Sequence, residues 1–445
     1  MQLQNWWYTT LLGTNESLLP FLEEELHAEV LVVGAGAAGL AAALALSDAG
    51  RNVVLIERNV CGGSSTGKSA GFLTPDSELE LSQLVRRYGP EGANDLWGCA
   101  SHGIELMVKT IRDHDIHCDL QVQDSLFLGN DKAGWVGAMQ EVEARKRLGY
   151  AQTVYSAAEL SKVVGGEGYT GAVRYPGTYG VDALRYAQGV KNVLMQRGVR
   201  IFEGTEAKAL DDHRVRTHGG SVTADEIIFC IDKPQAPLVP MANEVYHAQT
   251  FLSISEPLSD AEVARLFPDS PLQCWDSDLV YSYYRLTGDQ RLLLGGGSAL
   301  TTFSRNDITS DQVIRGVVTG FKKHYPFLKE LEFVQFWPGR IDCTRDLMPT
   351  VLRDPARPHV HFVLGCVGLP WATFCGDFVA RSVLGVAEAD DQKYYRYFCQ
   401  DRDYLLPTWL ERFVGKQLVF SLNNAWAKYK QVETSGALRY RKDRF

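Results

Sequence analysis

The stretch that most restricts how this chain folds is residues 28–58, AEVLVVGAGAAGLAAALALSDAGRNVVLIER. Residues 30–33 are an apolar run, β-branched at every position but Leu31, as a parallel strand buried on both faces requires. Gly34, Gly36 and Gly39 then spell G-x-G-x-x-G. The Ala- and Leu-rich residues 40–48 favour helix. Gly50 gives that helix a stop, and residues 52–56 read as a second strand with Glu57 at its tip. Each part has a task. Gly34 permits a tight turn, Gly36 lets the backbone approach a pyrophosphate, and Gly39 lets helix pack on strand. The pyrophosphate sits against the helix start, at Ala38 and its neighbours, where free N–H groups and the helix dipole favour negative charge. Glu57 is placed to accept hydrogen bonds from a ribose 2′-hydroxyl, and its charge disfavours NADP. Strand, glycines, helix, strand and acid in this order predict a βαβ unit that binds a dinucleotide.

The next residues raise a competing reading. Residues 62–69 fit G-x-x-x-x-G-K-[ST], the pattern of a triphosphate loop in which Lys68 and Ser69 would hold phosphate and magnesium. Such a loop follows its strand directly and opens a long helix. Here residues 58–61 intervene, and Gly71 and Pro75 leave little room for a helix after Ser69. The expectation is a strip lying beside the same dinucleotide, with Arg58, Ser64, Ser65, Thr66, Lys68, Ser69, Ala70 and Gly71 as candidate contacts. A triphosphate-binding protein stays the distant alternative.

With 445 residues, 45% of them hydrophobic, the chain can build two or three domains. No apolar run approaches the ~18 residues of a membrane-spanning helix, and the N-terminus lacks the basic start and apolar stretch of a secretory signal. Nine cysteines without a C-x-x-C pair argue against a zinc site or a disulfide framework. A cytoplasmic, reduced protein without a metal is expected. The net charge of −9 argues against a nucleic-acid partner.

Taken together, these pieces resemble the D-amino-acid oxidase, glycine oxidase and sarcosine oxidase (DAO) family of FAD enzymes, and within it the γ-glutamylputrescine oxidase-like proteins. The family's FAD unit is followed by a strip resembling G-A-S-G-R-N-G-G. Here Gly63-Ser64-Ser65-Thr66-Gly67-Lys68-Ser69-Ala70-Gly71 stands in its place, one residue longer and with Lys68 for Arg. Asn5-Trp6-Trp7-Tyr8 is similar to the subgroup's aromatic N-terminal extension. Tyr179-Gly180-Val181-Asp182, then Gly198-Val199-Arg200-Ile201 and Thr205, resemble the family's return to the FAD unit. Tyr283-Tyr284-Arg285-Leu286 and Leu294-Gly295-Gly296-Gly297 resemble its substrate-side strands. Trp337-Pro338-Gly339-Arg340, with Thr344-Arg345-Asp346 and Met348-Pro349, resembles W-x-G … T-x-D-x-x-P. His361-Phe362-Val363-Leu364-Gly365 reads as a strand, followed by Gly368 and a helix through Gly376 to Leu384. The resemblance covers roughly residues 5–390.

The resemblance implies an α/β plus α+β fold of the glutathione-reductase/DAO type. A discontinuous Rossmann-like FAD-binding domain (28–88, 180–235 and 335–390) would carry an antiparallel-sheet substrate domain (89–179 and 236–334), with strands in 279–284 and 291–294. Residues 391–445 would form an aromatic-rich helical extension, packed on its own domain or making a subunit contact or an interfacial membrane helix. Gly339, Gly365, Gly368 and Leu369 would lie on the flavin side. The implied activity is oxidation of a C–N bond of a small amine or amino acid, with hydride passing to flavin N5 and water hydrolysing the imine. The electron acceptor, oxygen or another, stays open. A same-fold dehydrogenase of a 2-hydroxy acid is the alternative.

Departures from the family pattern bear on the chemistry. Where the family often reads G-x-x-G-H-G, this chain has Gly365-Cys366-Val367-Gly368-Leu369-Pro370-Trp371; Pro370 still suits a first helical turn. No lysine occurs between Lys233 and Lys322, where sarcosine oxidases use one to activate oxygen. Three side chains are catalytic candidates: Arg340 for flavin O2 or a substrate carboxylate, Tyr283 for the flavin face, and Trp371 for the substrate wall. Against these stand an ion pair for Arg340 and core packing for the two aromatics. Cys343 and Cys366 are weighed as flavin tethers, and non-covalent FAD is preferred. His247 is expected to be structural.

Overall fold

The structure is a computed structural model that describes residues 1–399 apart from 15, 77, 233, 236, 237, 243, 244, 279, 280, 298–307 and 387–390, together with isolated positions between 410 and 422. Lys233, Leu279, Val280 and most of the C-terminal extension, Trp409, Phe420 and Trp426 included, lie outside the described residues.

Five strands run parallel in the order Arg200–Phe202, Val53–Ile56, Glu25–Val33, Ser221–Phe229 and Val360–Leu364. Thr350–Arg353 adds antiparallel to the last of them, and the hairpin Ala209–Asp211/Arg214–Arg216 adds antiparallel to Ser221–Phe229. The alternation of a strand sorts the side chains. Val30 and Val32 join the core beneath the helices, whereas Leu31 and Val33 join the opposite core with Val54 and Ile56. The first strand starts at Glu25, five residues before the apolar run, because residues 25–28 pair with residues 221–224. The helix Ala37–Asp48 likewise begins earlier than its Leu-rich part, directly after the N-cap Gly36.

Helices Ala37–Asp48, Leu81–Asp113, Ala183–Gln196 and Leu369–Val383 share the core on one face. A Cβ on Gly376 would stand 2.0 Å from the Ala38 carbonyl oxygen, so the last of these helices is pressed onto the first. The long helix Leu81–Asp113 is interrupted at Gly89 (φ 72°), just before Pro90. The helix Gln392–Phe398 adds Tyr395, Tyr397 and Phe398 to the same core.

A second sheet has nine strands, in the order Gln2–Leu3, Phe333–Cys343, Tyr246–Pro257, Arg291–Gly296, Tyr283–Leu286, Leu272–Asp276, Asp124–Gly129, Gly171–Tyr175 and Thr153–Ser156. The expected all-antiparallel pattern is broken at two pairs. Gln2–Leu3 runs parallel to Phe333–Cys343, and Leu272–Asp276 runs parallel to Asp124–Gly129. At each of these pairs the sheet joins segments far apart in the chain, which no hairpin turn constrains to be antiparallel. The strand expected in 279–284 begins only at Tyr283, after Ser282 accepts a bond from Asp276 N. Phe333–Cys343 pairs with Tyr246–Pro257 from Trp337↔Leu252 to Cys343↔Tyr246, so residues 335–343 lie in this sheet. A small sheet of Phe72–Leu73, Tyr179–Gly180 and Gln121–Val122 links the two.

Candidate active site

The glycine turn fixes where a ligand can lie. Gly34 has φ +101°, and a Cβ there would stand 2.4 Å from the Cys230 carbonyl oxygen; one on Gly39 would stand 1.8 Å from the Gly34 carbonyl oxygen. The chain therefore turns tightly off its strand with the helix seated on the turn. No side chain of Gly36 caps the helix; instead Ala37 N donates to Thr66 Oγ1 at 3.0 Å. The strip that spells a triphosphate loop thus touches the dinucleotide turn through Thr66. It holds only a short 3-10 turn, Thr66–Lys68, in place of a long helix.

Between the turn and the strip opens a cleft with roughly 1090 Å³ of empty space, its mouth included. Gly34, Gly36, Ala38, Glu57, Arg58, Ser64, Ser65, Thr66 and Gly365 line it, together with Thr205, Asp232, Ile341 and Cys366. The cleft runs from the Glu57–Thr205 corner, across the helix start, to the end of Phe333–Cys343 in the nine-stranded sheet. Glu57 already accepts from Ala35 N at 2.8 Å and Asn59 N at 2.9 Å. Burial raises its carboxyl above the usual range, while those two amides and Arg58 pull it back. Each oxygen keeps a second lone pair for a hydroxyl donor. Asp232, unforeseen from the sequence, accepts from Ser64 Oγ at 2.7 Å and Ser65 Oγ at 2.5 Å and pairs with Arg58 at 2.9 Å.

Lys68, Ser69, Ala70 and Gly71 do not line the cleft; their backbone is fixed from behind. Trp337 Nε1 donates to Lys68 O at 3.1 Å, Trp7 Nε1 to Ser69 O at 2.8 Å, and Arg285 Nε to Ala70 O at 2.8 Å. Asn5 Nδ2 donates to Gly67 O at 2.6 Å and Tyr8 to Gly63 O at 3.2 Å. The N-terminal segment is therefore a clamp on the strip. Gly39 serves packing. Gly339 sits 3.6 Å, measured from a built Cβ, from the Lys68 carbonyl oxygen. Gly368 (φ 96°) caps the helix that Leu369 opens.

None of the three catalytic candidates lines the cleft; Ile341 and Asp342, next to Arg340, and Ala372, next to Trp371, do. Arg340 lies opposite Gln249 in the ladder, and its carbonyl accepts from Ser65 Oγ at 2.8 Å. Tyr283 stacks edge-on to Phe72 at 5.8 Å and lies 5.7 Å from the Tyr281 ring; burial pushes its hydroxyl up to about 12. Trp371 is buried, with Nε1 donating to Pro75 O at 3.2 Å. Tyr284 points to the other side of its strand, into the core with Tyr325 and Phe321. His247 pairs with Asp342 at 2.7 Å. The Cys343 thiol is buried and burial pushes it up, so it stays protonated.

Beyond Phe72 lies a group of acids. Asp76 is bonded to Thr74 and Tyr175. Glu141 pairs with Arg145 at 2.8 Å, and Trp275 Nε1 donates to Glu80 at 3.1 Å. Tyr281 donates to Glu78 at 3.2 Å, and burial lifts the Glu78 carboxyl to about 7.

These residues fit a dinucleotide that carries a redox ring. The helix start, where Gly36 has no side chain in the way, and the hydroxyls of the strip suit a pyrophosphate, Glu57 suits a ribose, and the far end of the cleft opens toward the strand of Gly339 and Ile341. Comparison with known proteins agrees. The family described as FAD dependent oxidoreductase (DAO) matches residues 29–382. The probable oxidoreductase OrdL of Haemophilus influenzae is 26% identical over 386 residues, spanning 84% of this chain and 86% of the relative. Gamma-glutamylputrescine oxidoreductase of Escherichia coli is 28% identical over 383 residues, 83% of this chain and 87% of the relative. In fold, glycine oxidase from Geobacillus kaustophilus superposes with a TM-score of 0.73 at 18% identity, covering 85% of this chain and all of that one.

Proposed function

The chain belongs to the DAO family of FAD dependent oxidoreductases, and from that premise we propose that it oxidises a C–N bond of a small amine or amino acid to an imine that water hydrolyses. FAD, when bound, supplies the hydride acceptor at flavin N5. The protein's own residues do the holding. Gly34, Gly36 and Ala38 offer backbone to the pyrophosphate, with Arg58, Ser64, Ser65 and Thr66 alongside. Glu57 holds the ribose. Gly339, Gly365, Gly368 and Leu369 shape the flavin end, and Lys68, Ser69, Ala70 and Gly71 keep the strip in line behind it. Tyr283 and Trp371 wall the substrate and exclude water; Arg340 braces the strip through Ser65.

The observation that carries this reading is the cleft itself, which joins the start of the helix Ala37–Asp48 to Ile341 in the nine-stranded sheet and to Cys366 beyond the strand Val360–Leu364. Cys343 is a poor tether because its thiol is buried and protonated, which supports non-covalent FAD. The FAD unit in this reading takes in residues 28–88, 180–235 and 335–390, of which 335–343 pair into the nine-stranded sheet, and 89–179 with 236–334 form the substrate unit. All nine cysteines are free, which suits the cytoplasm. Among the described residues no helix is long and apolar enough to cross a membrane. The acceptor of the electrons is oxygen or another oxidant. The test is anaerobic: the purified yellow protein is mixed with primary amines, secondary amines, amino acids and 2-hydroxy acids while absorbance near ~450 nm is followed. Bleaching by an amine or amino acid is expected; bleaching by 2-hydroxy acids alone would overturn the reading.

A further inference from the structure

We propose that Asp232 sets how tightly the chain holds FAD: its carboxylate competes with the cofactor's pyrophosphate for Arg58 and for the hydroxyl protons of Ser64 and Ser65. This inference takes from the reading above only that FAD fills the cleft, and adds a residue of the chain that opposes it.

Asp232 lies on the cleft wall, close to the glycine turn. It follows Ile231, whose Cγ2 stands 3.0 Å from a Cβ built on Gly34. Its Oδ1 accepts from Arg58 Nη2 at 2.9 Å, and its Oδ2 accepts from Ser64 Oγ at 2.7 Å and Ser65 Oγ at 2.5 Å. A guanidinium and short hydroxyl donors are also what a phosphate group takes.

A hydroxyl carries one proton. The Ser64 proton goes to Asp232. The Ser65 proton has two claimants, Asp232 and the Arg340 carbonyl at 2.8 Å. Both serines line the cleft, so with their protons held there they offer it oxygen lone pairs, which repel phosphate oxygens. Thr66 differs. Its Oγ1 accepts from Ala37 N, and among the described residues nothing accepts its proton. Of these three hydroxyls, only that of Thr66 can donate to phosphate while Asp232 keeps its bonds.

The charges point the same way. Among the described residues that line the cleft, Arg58 is the only cation, against the carboxylates of Glu57, Glu206, Asp232 and Asp342. Asp232 is the one of these four that is hydrogen-bonded to it. A pyrophosphate brings further negative charge to a wall whose cation is already paired. The start of the helix Ala37–Asp48 favours that charge, and Asp232 offsets part of the gain.

The test reads binding. Equilibrium dialysis of the FAD-loaded protein gives the affinity for FAD, and displacement by ADP and by adenosine separates the diphosphate from the nucleoside. Asp232→Asn keeps the size of the side chain and an oxygen for one serine, and removes the charge. The variant is expected to bind FAD and ADP about tenfold more tightly than the parent, with displacement by adenosine unchanged. A gain of less than about threefold, weaker binding, or an equal gain for adenosine overturns the proposal. If the variant does not fold, a crystal structure of the FAD-loaded parent decides. At least one of Arg58, Ser64 and Ser65 should have left Asp232 for a phosphate oxygen about 3 Å away; all three still on Asp232 overturns the proposal. Because no turnover is read, the two conclusions fail separately. Amine oxidation by a protein whose FAD affinity is indifferent to Asp232 sinks this inference alone. Tighter binding by the variant of a protein that no amine reduces supports it and sinks the oxidation reading, and a cleft that takes up neither FAD nor ADP sinks both.

Discussion

Replacing Arg285 should loosen the strip and release flavin before the rest of the protein unfolds. Arg285 is fully buried, and burial pulls its guanidinium down to about 10, so it remains charged at neutral pH. It donates to Ala70 O at 2.8 Å, Val181 O at 2.6 Å and Leu286 O at 3.1 Å. The Leu286 carbonyl also receives Gln123 Nε2 at 2.8 Å, so Arg285→Met deprives two carbonyls, that of Val181, which is buried, and that of Ala70, which is half-buried. Each orphaned carbonyl costs about 1–3 kcal/mol. Methionine fills much of the stem's volume and removes the burden of a buried charge. The expected net loss is about 3 kcal/mol, with Arg285→Lys losing roughly half as much because an ammonium cannot reproduce the guanidinium's fixed fork. Guanidinium chloride unfolding should be followed twice, by flavin release and by tryptophan emission. The flavin midpoint should shift more, since Ala70 belongs to the strip. A loss below about 1 kcal/mol, or equal shifts in both signals, would refute the reasoning.

Thr66→Val removes the hydroxyl that accepts from Ala37 N at the helix start; about 1 kcal/mol of stability should be lost, with weaker FAD binding, read by thermal melting and by cofactor titration. Lys68→Ala keeps the backbone carbonyl that Trp337 Nε1 holds, so FAD retention should stay near the parent's with no ATPase activity to lose, and ATP turnover in the parent protein that vanishes in the variant would restore the triphosphate reading. Glu78 has a carboxyl raised to about 7 in the folded state, so its contribution to stability is present below the unfolded value near 4.5 and is lost as pH rises through 7. Without substrate, Glu78→Gln should therefore gain on the parent between pH 5 and pH 8, by on the order of 2–3 kcal/mol; a flat difference in unfolding free energy across that range would contradict the burial of this group.

The βαβ unit was legible because each of its demands falls on one residue type at a fixed spacing. Gly34 must have positive φ, Gly39 must have no side chain, and the strand residues must be apolar on both faces. Its edges were not legible. Residues 25–29 are polar enough to hide a strand that exists because residues 221–224 pair with it. In the cleft, the strip's hydroxyl residues and Glu57 could be read, but Asp232 could not, since its bonds to Ser64 and Ser65 bridge more than 160 positions of sequence. The same holds for the clamp. Asn5 and Trp7 reach Gly67 and Ser69 across 62 positions, and nothing local in an aromatic N-terminus says what it will hold. On the strand Phe333–Cys343 the sequence pointed to Gly339 and Arg340, whereas Ile341 and Asp342 line the cleft, because where a strand crosses from sheet to cleft depends on its partner.

A crystal structure of the protein purified with its pigment bears most directly on the cleft. FAD is expected there, with the pyrophosphate at the start of the helix Ala37–Asp48, the ribose at Glu57 and the flavin ring toward Ile341 and Gly365. A vacant cleft in the pigmented protein, or a triphosphate and magnesium held by Lys68 and Ser69, would contradict it.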